Sequence, residues 1–220
     1  MCFSAGASFT ASVLLTFVGT ETLRKVHKPS QTVFAAIPLF FAFQQFTEGV
    51  LWLVLAQTGH AWLRAAATCI FLTMARVLWP LMVPVSVVLL ERQKNRKRIL
   101  YILLAAGAIA ALYYMYGLIF YSAHAEISRL HINYVSAFQG AFSTEALAFY
   151  LAATIIPFFV SSIKGTHILG IVVILSLIVS AVFYRNYVTS VWCFFAAVMS
   201  FAIFYIVRDE HKKFHFSSVL

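Results

Sequence analysis

Seven mostly apolar stretches, each long enough to form a membrane-crossing helix, follow one another along this chain of 220 residues. A bilayer core about 30 Å thick needs roughly 20 helical residues, and short polar segments separate stretches of about that length. The fifth stretch contains Pro157, which a membrane helix tolerates when its neighbours satisfy the freed carbonyl. The pattern predicts an all-α polytopic membrane protein, a seven-transmembrane-helix bundle that forms a single domain over residues 1–220. The predicted spans are Ser8–Leu23, Thr32–Gln57, Trp62–Leu90, Ile99–Tyr121, Glu145–Ser162, Thr166–Tyr184 and Tyr187–Val207.

The composition of the chain favours the same class of protein. Hydrophobic residues make up 62% and charged residues 10% of the sequence, and the mean hydropathy is +0.90. These values are too apolar for a soluble domain of this size. The first apolar stretch has neither a basic segment before it nor a small-residue cleavage site after it, so we expect it to be retained as a span. The expected location is the inner (plasma) membrane, with the lipid bilayer as the main partner.

The chain has a net charge of +9, and its basic residues are unevenly distributed between the connections. Twelve of the 16 Lys and Arg residues lie in alternate connections and in the C-terminal tail, whereas Arg64, Arg129 and Arg185 fall on the other side. The positive-inside rule therefore predicts an extracytoplasmic N-terminus and a cytoplasmic C-terminus. This distribution gives no reason to expect a nucleic-acid partner.

The longest connection, Ser122–Thr144, falls on the predicted extracytoplasmic side. Its Ile, Tyr, Val and Phe residues recur at spacings that suit either a packed hairpin or an interfacial helix. We therefore expect this connection to cap one end of the bundle.

A polar cluster interrupts the second apolar stretch at "FAFQQFTEGVLWL". Gln45, Glu48 and Trp52 share one helical face, and Gln44 flanks it. Because an intramembrane carboxylate is costly in lipid, Glu48 should face the bundle interior, where Arg76 of the third stretch is the nearest candidate partner. One interpretation is an outward-facing pocket, formed by these five residues, that binds or passes a small polar solute, an ion or a proton. The alternative is a buried Glu48–Arg76 pair that only fixes helix packing.

Three further residues on the extracytoplasmic side suggest a different chemistry. Cys2, His131 and Cys193 can together supply ligands to a transition metal, and Cys2 and Cys193 can also form a disulfide. Separate, partly buried thiols are the ordinary alternative, since no Cys-x-x-Cys spacing occurs. The second functional hypothesis is therefore a membrane-embedded enzyme that uses thiol, redox or metal chemistry near Glu48.

Two other features bear on cofactors and assembly. A retinal Schiff base needs a lysine within the bundle, and all seven lysines lie in the cytoplasmic connections or the tail, which excludes an opsin. The small residues of "AAAT" and "AAGAIAA" would allow helices to approach closely, within one chain or between the copies of a homo-oligomer.

Five blocks of the sequence resemble an uncharacterised family of bacterial integral-membrane proteins whose members open with MCFSA. The blocks are "MCFSAGASF", "FQQFTEGVLW", "HINY", "FYLAATIIPFFVSS" and "SVWCFFAAVMS", which are spread over nearly the whole chain. The resemblance implies a helical fold and a membrane location, and it carries no assigned reaction. It marks as motif positions Cys2, Ser4, Gln44, Gln45, Glu48, His131 and Cys193.

Overall fold

The computed structural model describes residues 4–128, 131–183, 192, 195 and 198–209. This part of the chain is mostly helical and contains one β-hairpin, and residues 198–209 form a further helical stretch. The helices are α1 (Ala5–Arg24), α2 (Thr32–Leu55), α3 (Ala61–Thr73), α4 (Trp79–Leu90), α5 (Lys94–Phe120), α6 (Thr144–Val160) and α7 (Lys164–Phe183). The hairpin consists of β1 (Ala123–Ser128) and β2 (His131–Ser136).

Four helical segments are long and apolar enough to cross a membrane, which fits the membrane protein that the composition predicts. They coincide with the second, third, fourth and sixth predicted spans. The first and fifth predicted spans correspond to α1 and to α6, and α6 is a shorter apolar helix of 17 residues. The seventh predicted span, Tyr187–Val207, lies only partly within the described residues. Tyr184, the last residue of the sixth predicted span, lies outside them. The four segments are Pro29–Leu55, Ala61–Leu90, Lys94–Phe120 and Gly165–Phe183.

Helix α5 has the side-chain distribution expected of a helix in lipid. Its outer face exposes large aliphatic side chains, such as Ile102 at 70% and Leu112 at 72%. Its buried face includes the small residues Gly107, Ala110 and Ala111. Small residues on the inner face let neighbouring helices approach closely, and large apolar side chains on the outer face suit acyl chains.

Helices α1 and α2 pack side by side as an antiparallel pair. The ring of Phe9 on α1 lies against Gly49 of α2, and Leu39 of α2 lies against Gly19 of α1, where an added Cβ would clash. These two contacts place the N-terminal end of α1 beside the C-terminal half of α2.

The third predicted span is one continuous helical segment with an irregular centre. Residues Met74–Leu78 form a π-helical turn between α3 and α4. Pro80 explains its position, because proline has no N–H and its ring clashes with the carbonyl four residues earlier, here that of Arg76. A wider turn removes this conflict, and π turns occur often at functional sites.

Helix α5 crosses this irregular segment at very short range. A Cβ placed on Gly107 would overlap the carbonyl oxygen of Pro80. Only glycine fits here, and its position fixes how closely α5 approaches the start of α4.

The hairpin packs over the end of the bundle where α2 ends and α3 begins. Its strands are antiparallel, and Ala125 pairs with Tyr134. Ile132 is fully buried, and the Tyr134 ring stacks on Phe71 of α3 with 4.6 Å between centroids. The long connection thus forms a packed hairpin, the first of the two structures that its sequence suggested.

The Glu91 carboxylate fastens the opposite end of the bundle. It accepts hydrogen bonds from the backbone N–H groups of Arg92 and Gln93, both at 2.9 Å, and from the N–H and hydroxyl of Ser162 at 2.6 and 2.8 Å. Burial alone would raise the pKa of Glu91, but these hydrogen bonds outweigh burial and hold the pKa below its ordinary value of 4.5. The carboxylate therefore ties the α4–α5 connection to the α6–α7 connection.

Candidate functional site

A cavity of about 190 Å³ lies between α2, the π turn, α4, α5, α6, α7 and the helical stretch 198–209. Most of its wall consists of aliphatic and aromatic side chains. The polar and amphipathic residues that line it are Gln44, Arg76, Trp79, Tyr114, Tyr150, Thr154 and Trp192.

Arg76 is the residue that carries a charge among the described lining residues. It belongs to the π turn and is half-buried, and Tyr114 of α5 and Tyr150 of α6 are its neighbours on the wall. A guanidinium group keeps its charge in such surroundings and offers five N–H donors in one plane. The cavity thus combines apolar walls with one cationic hydrogen-bond donor.

The hydroxyl of Tyr150 completes the hydrogen bonding of the π turn. In a π turn the carbonyl of residue i pairs with the N–H of residue i+5, and for Ala75 that residue is Pro80, which has no N–H. The Tyr150 hydroxyl donates to the Ala75 carbonyl oxygen at 2.7 Å instead. The Thr154 hydroxyl in turn donates to the Tyr150 carbonyl at 2.8 Å. The wall formed by α6 is therefore bonded directly to the turn that carries Arg76.

Gln44 and Trp79 join α2 to α4 at the cavity wall. The indole Nε1 of Trp79 donates a hydrogen bond of 2.9 Å to Gln44 Oε1. The indole also stacks on Phe41, with ring centroids 4.0 Å apart and planes inclined by 25°. These contacts hold both rings and the amide in defined positions.

Trp192 forms the side of the cavity next to α7. Its Nε1 donates to the Ser176 hydroxyl oxygen at 3.0 Å, and its ring lies 6.4 Å from that of Tyr150. The hydrogen bond fixes the indole, so that Trp192, like Trp79, presents a held aromatic surface to the cavity.

The structure divides the five predicted binding residues into two groups. Gln44 and Arg76 line the cavity, whereas Gln45, Glu48 and Trp52, all within the described part of the chain, are not part of its wall. Gln45 and Glu48 are buried, and Gln45 Nε2 donates to Glu48 Oε2 at 3.3 Å. The ion pairs between described side chains do not include one that joins Glu48 to Arg76.

The predicted metal ligands cannot be assembled from the described residues. Cys2 and Cys193 lie outside them, and so does the suggested disulfide between the two. His131 lies on β2 and is buried, and this burial lowers the pKa of its imidazole. The described residues contain no group of three or more His, Cys, Asp or Glu side chains placed to hold a metal ion.

Sequence reasoning did not include Trp79, Tyr114 and Tyr150 in the site. The sequence does carry a signal for Trp79, because it lies one helical turn after Arg76 and therefore shares its face. Tyr150 gives no local signal, since its partner Ala75 is 75 residues away.

The fold is helical, with four segments long and apolar enough to cross a membrane, and its helices border a largely apolar cavity. The chain belongs to a family of unknown function, DUF6629, whose model matches residues 1–217. This confirms that the chain belongs to an uncharacterised family, as the resemblance implied. No curated protein matches the chain, and neither does any solved structure.

Proposed function

We propose that the cavity binds a small ligand that has an apolar body and an anionic or carbonyl oxygen, and that Arg76 binds this oxygen. The observation that carries the proposal is the Arg76 guanidinium on the wall of a largely apolar and aromatic cavity. The sequence alone suggested a polar solute, an ion or a proton. The lining favours an amphipathic molecule over a fully polar one.

The size of the cavity restricts the ligand. A volume of about 190 Å³ is below the roughly 300–1,000 Å³ of pockets that bind drug-sized molecules, so the ligand is small. The rings of Trp79, Tyr114 and Tyr150 offer flat apolar surfaces for its body. Arginine binds carboxylate and phosphate oxygens through two parallel N–H donors, which gives it both affinity and orientation.

The ligand proposal can be tested with benzoate as the probe and benzyl alcohol as its uncharged counterpart. We expect benzoate to raise the Tm of the purified wild-type protein in detergent more than benzyl alcohol does. Arg76→Gln should abolish this difference, and Arg76→Lys should reduce it, because lysine keeps the charge without the planar pair of donors. Arg64→Gln removes the same charge away from the cavity and should behave as the wild type. Equal stabilisation of wild type and Arg76→Gln by benzoate would contradict the proposal.

We also propose that the chain crosses the inner (plasma) membrane seven times, with an extracytoplasmic N-terminus. The support is the placement of twelve Lys and Arg residues on alternate connections and in the tail. In this topology the hairpin lies on the extracytoplasmic side and the connection between α4 and α5 lies in the cytoplasm.

The topology can be tested by cysteine labelling in intact cells. The native thiols at Cys2, Cys69 and Cys193 are first replaced by serine, and Ser128→Cys and Gln93→Cys are then made one at a time. A membrane-impermeant maleimide should label the hairpin variant in intact cells and the Gln93→Cys variant only after permeabilisation. The opposite labelling pattern would overturn the proposed orientation.

A further inference from the structure

Helix α2 carries polar side chains on two different faces. Gln44 faces the cavity and bonds to Trp79. Gln45, one residue on and thus about 100° around the helix, lies on the face that also carries Glu48 and Trp52. Gln45 is 1% exposed and Glu48 is 0% exposed, so this second face is buried although it is not part of the cavity wall.

Two buried atoms on the second face have no hydrogen-bond partner among the described residues. One is Gln45 Oε1, an acceptor, and the other is Trp52 Nε1, a donor. The two residues are seven positions apart, which is about 10 Å along a helix, and Glu48 lies between them. Buried polar atoms in native proteins are nearly always bonded to protein or to ordered water, so each of these two points to a bound molecule.

A third atom of this kind comes from α1. The Ser8 hydroxyl is buried and has no partner in the described part of the chain. Other hydroxyls of α1 behave differently, because Thr16 and Thr22 donate to the carbonyl four residues earlier at 2.8 and 2.6 Å. Ser8 precedes Phe9, whose ring lies against Gly49, so Ser8 is at the level of the polar face of α2.

We propose that this face of α2, together with Ser8, forms a second binding site, and that its ligand is water. The site must supply a donor to the Gln45 oxygen and an acceptor to the Trp52 indole, and because these residues lie about 10 Å apart along the helix, more than one molecule is needed. Water does both and fits a narrow space. A metal cation would leave the indole N–H without an acceptor, and an anion could not donate to Gln45.

At its Trp52 end this water site adjoins the apolar cluster beneath the hairpin. Trp52 packs against the apolar cluster that contains Ile132 and Tyr134 of β2. None of the three α2 residues of this site is part of the cavity wall. The proposed water site is thus distinct from the cavity, and it stands independently of the cavity ligand proposed above.

The indole N–H groups report on bound water by NMR, because the chain has only four tryptophans to assign. With ¹⁵N-indole labelling, Trp52 Nε1–H should show a cross peak to water. It should also exchange with deuterium roughly tenfold or more faster than Trp79 Nε1–H, which must first break its hydrogen bond to Gln44. A Trp52 signal without a water cross peak, exchanging as slowly as that of Trp79, would overturn the proposal.

Two substitutions complete the test. Gln45→Leu removes the acceptor, and Ser8→Ala removes the hydroxyl with a smaller change of volume. Each should weaken the water cross peak of Trp52, whereas the Trp79 and Trp192 signals should keep their positions and show that the fold is intact. Should Gln45→Leu fail to fold, Ser8→Ala carries the test alone. An unchanged Trp52 cross peak in every folded variant would contradict a site made by these groups. No cavity ligand is added, so the outcome is separate from that for Arg76.

Discussion

The Tyr150 hydroxyl donates a hydrogen bond of 2.7 Å to the carbonyl oxygen of Ala75, which joins α6 to the π turn. Pro80 has no N–H to donate to this buried carbonyl, and the Tyr150 hydroxyl donates to it instead. Through this bond the side chain of Tyr150 is attached to the turn that carries Arg76, and both residues line the cavity. The stability of the π turn and the shape of the cavity should therefore change together.

Replacing Tyr150 by phenylalanine should lower the free energy of unfolding by about 1–3 kcal/mol, because it leaves the Ala75 carbonyl buried and unbonded. Denaturant titration of the detergent-solubilised protein measures the effect. Tyr116→Phe is the matched control, since Tyr116 is 50% exposed, and it should stay within about 0.5 kcal/mol of wild type. Equal losses in the two variants would show that the Ala75 bond contributes nothing specific.

Gly107→Ala should destabilise the protein by about 1–3 kcal/mol through overpacking. The added Cβ would overlap the Pro80 carbonyl, and a backbone atom cannot rotate away as the end of a side chain can. Gly6→Ala is the control, because an added Cβ there meets nothing within 4 Å. The Tm of each variant against wild type decides the matter, and a Gly107→Ala protein as stable as Gly6→Ala would refute the close contact.

Glu91 should make the stability of the protein sensitive to acid. Its pKa in the folded chain lies below the ordinary 4.5, so the folded state favours the ionised carboxylate. This contribution is complete above about pH 4.5 and is lost as the pH falls through the lower folded pKa. Tm measured from pH 6 to pH 3, at roughly half-unit steps, should fall less steeply in Glu91→Gln than in wild type.

The Glu91→Gln variant should also be less stable at neutral pH, because four hydrogen bonds to an anion are weakened together. Glu145→Gln, at an exposed position, serves as the control and should keep the acid dependence of wild type. Parallel pH profiles for wild type and Glu91→Gln would be inconsistent with a carboxylate that is bonded in the folded state.

His131 should produce a separate pH dependence at higher pH. Burial lowers its pKa below the ordinary 6.5, so the unfolded chain takes up a proton more readily than the folded chain. Stability should therefore fall as the pH drops below about 6.5, until the folded pKa is reached. His131→Gln should remove this step from the Tm profile, whereas His124→Gln, at an exposed position, should retain it.

The helices could be predicted well because their signal is local. The second predicted span, Thr32–Gln57, differs from α2 by two residues at one end, since an apolar run bounded by polar residues is sufficient to define it. The π turn within Trp62–Leu90 was not predicted, although Pro80 and Pro84 are visible in the sequence. Whether a proline kinks, widens or merely bends a helix depends on its neighbours in space, here Gly107 and Tyr150.

The polar residues of the second span were predicted to line one pocket. In the structure Gln44 lines the cavity, whereas Gln45, Glu48 and Trp52 are not part of its wall. Neighbours in sequence such as Gln44 and Gln45 point about 100° apart on a helix. Which of the two directions leads to a cavity is decided by where α4, α6 and α7 pack, and that information is not local to α2. Arg76 was therefore a correct guide to the cavity wall, whereas Glu48 lies outside that wall.

The extra residue in the turn Met74–Leu78 sets the register of a whole helical segment. Because one residue corresponds to about 100° of rotation, α3 and α4 present different sides to the rest of the molecule although the chain runs straight through. The Phe71 ring stacks on Tyr134 of the hairpin, and the Trp79 indole donates a hydrogen bond to Gln44. Deleting a single residue from the turn would swing Trp79 away from its acceptor while leaving Phe71 in place. The π turn thus lets one continuous helical segment pack against the hairpin at one end and against α2 at the other. The number of residues in the turn matters for this packing as much as the side chains do.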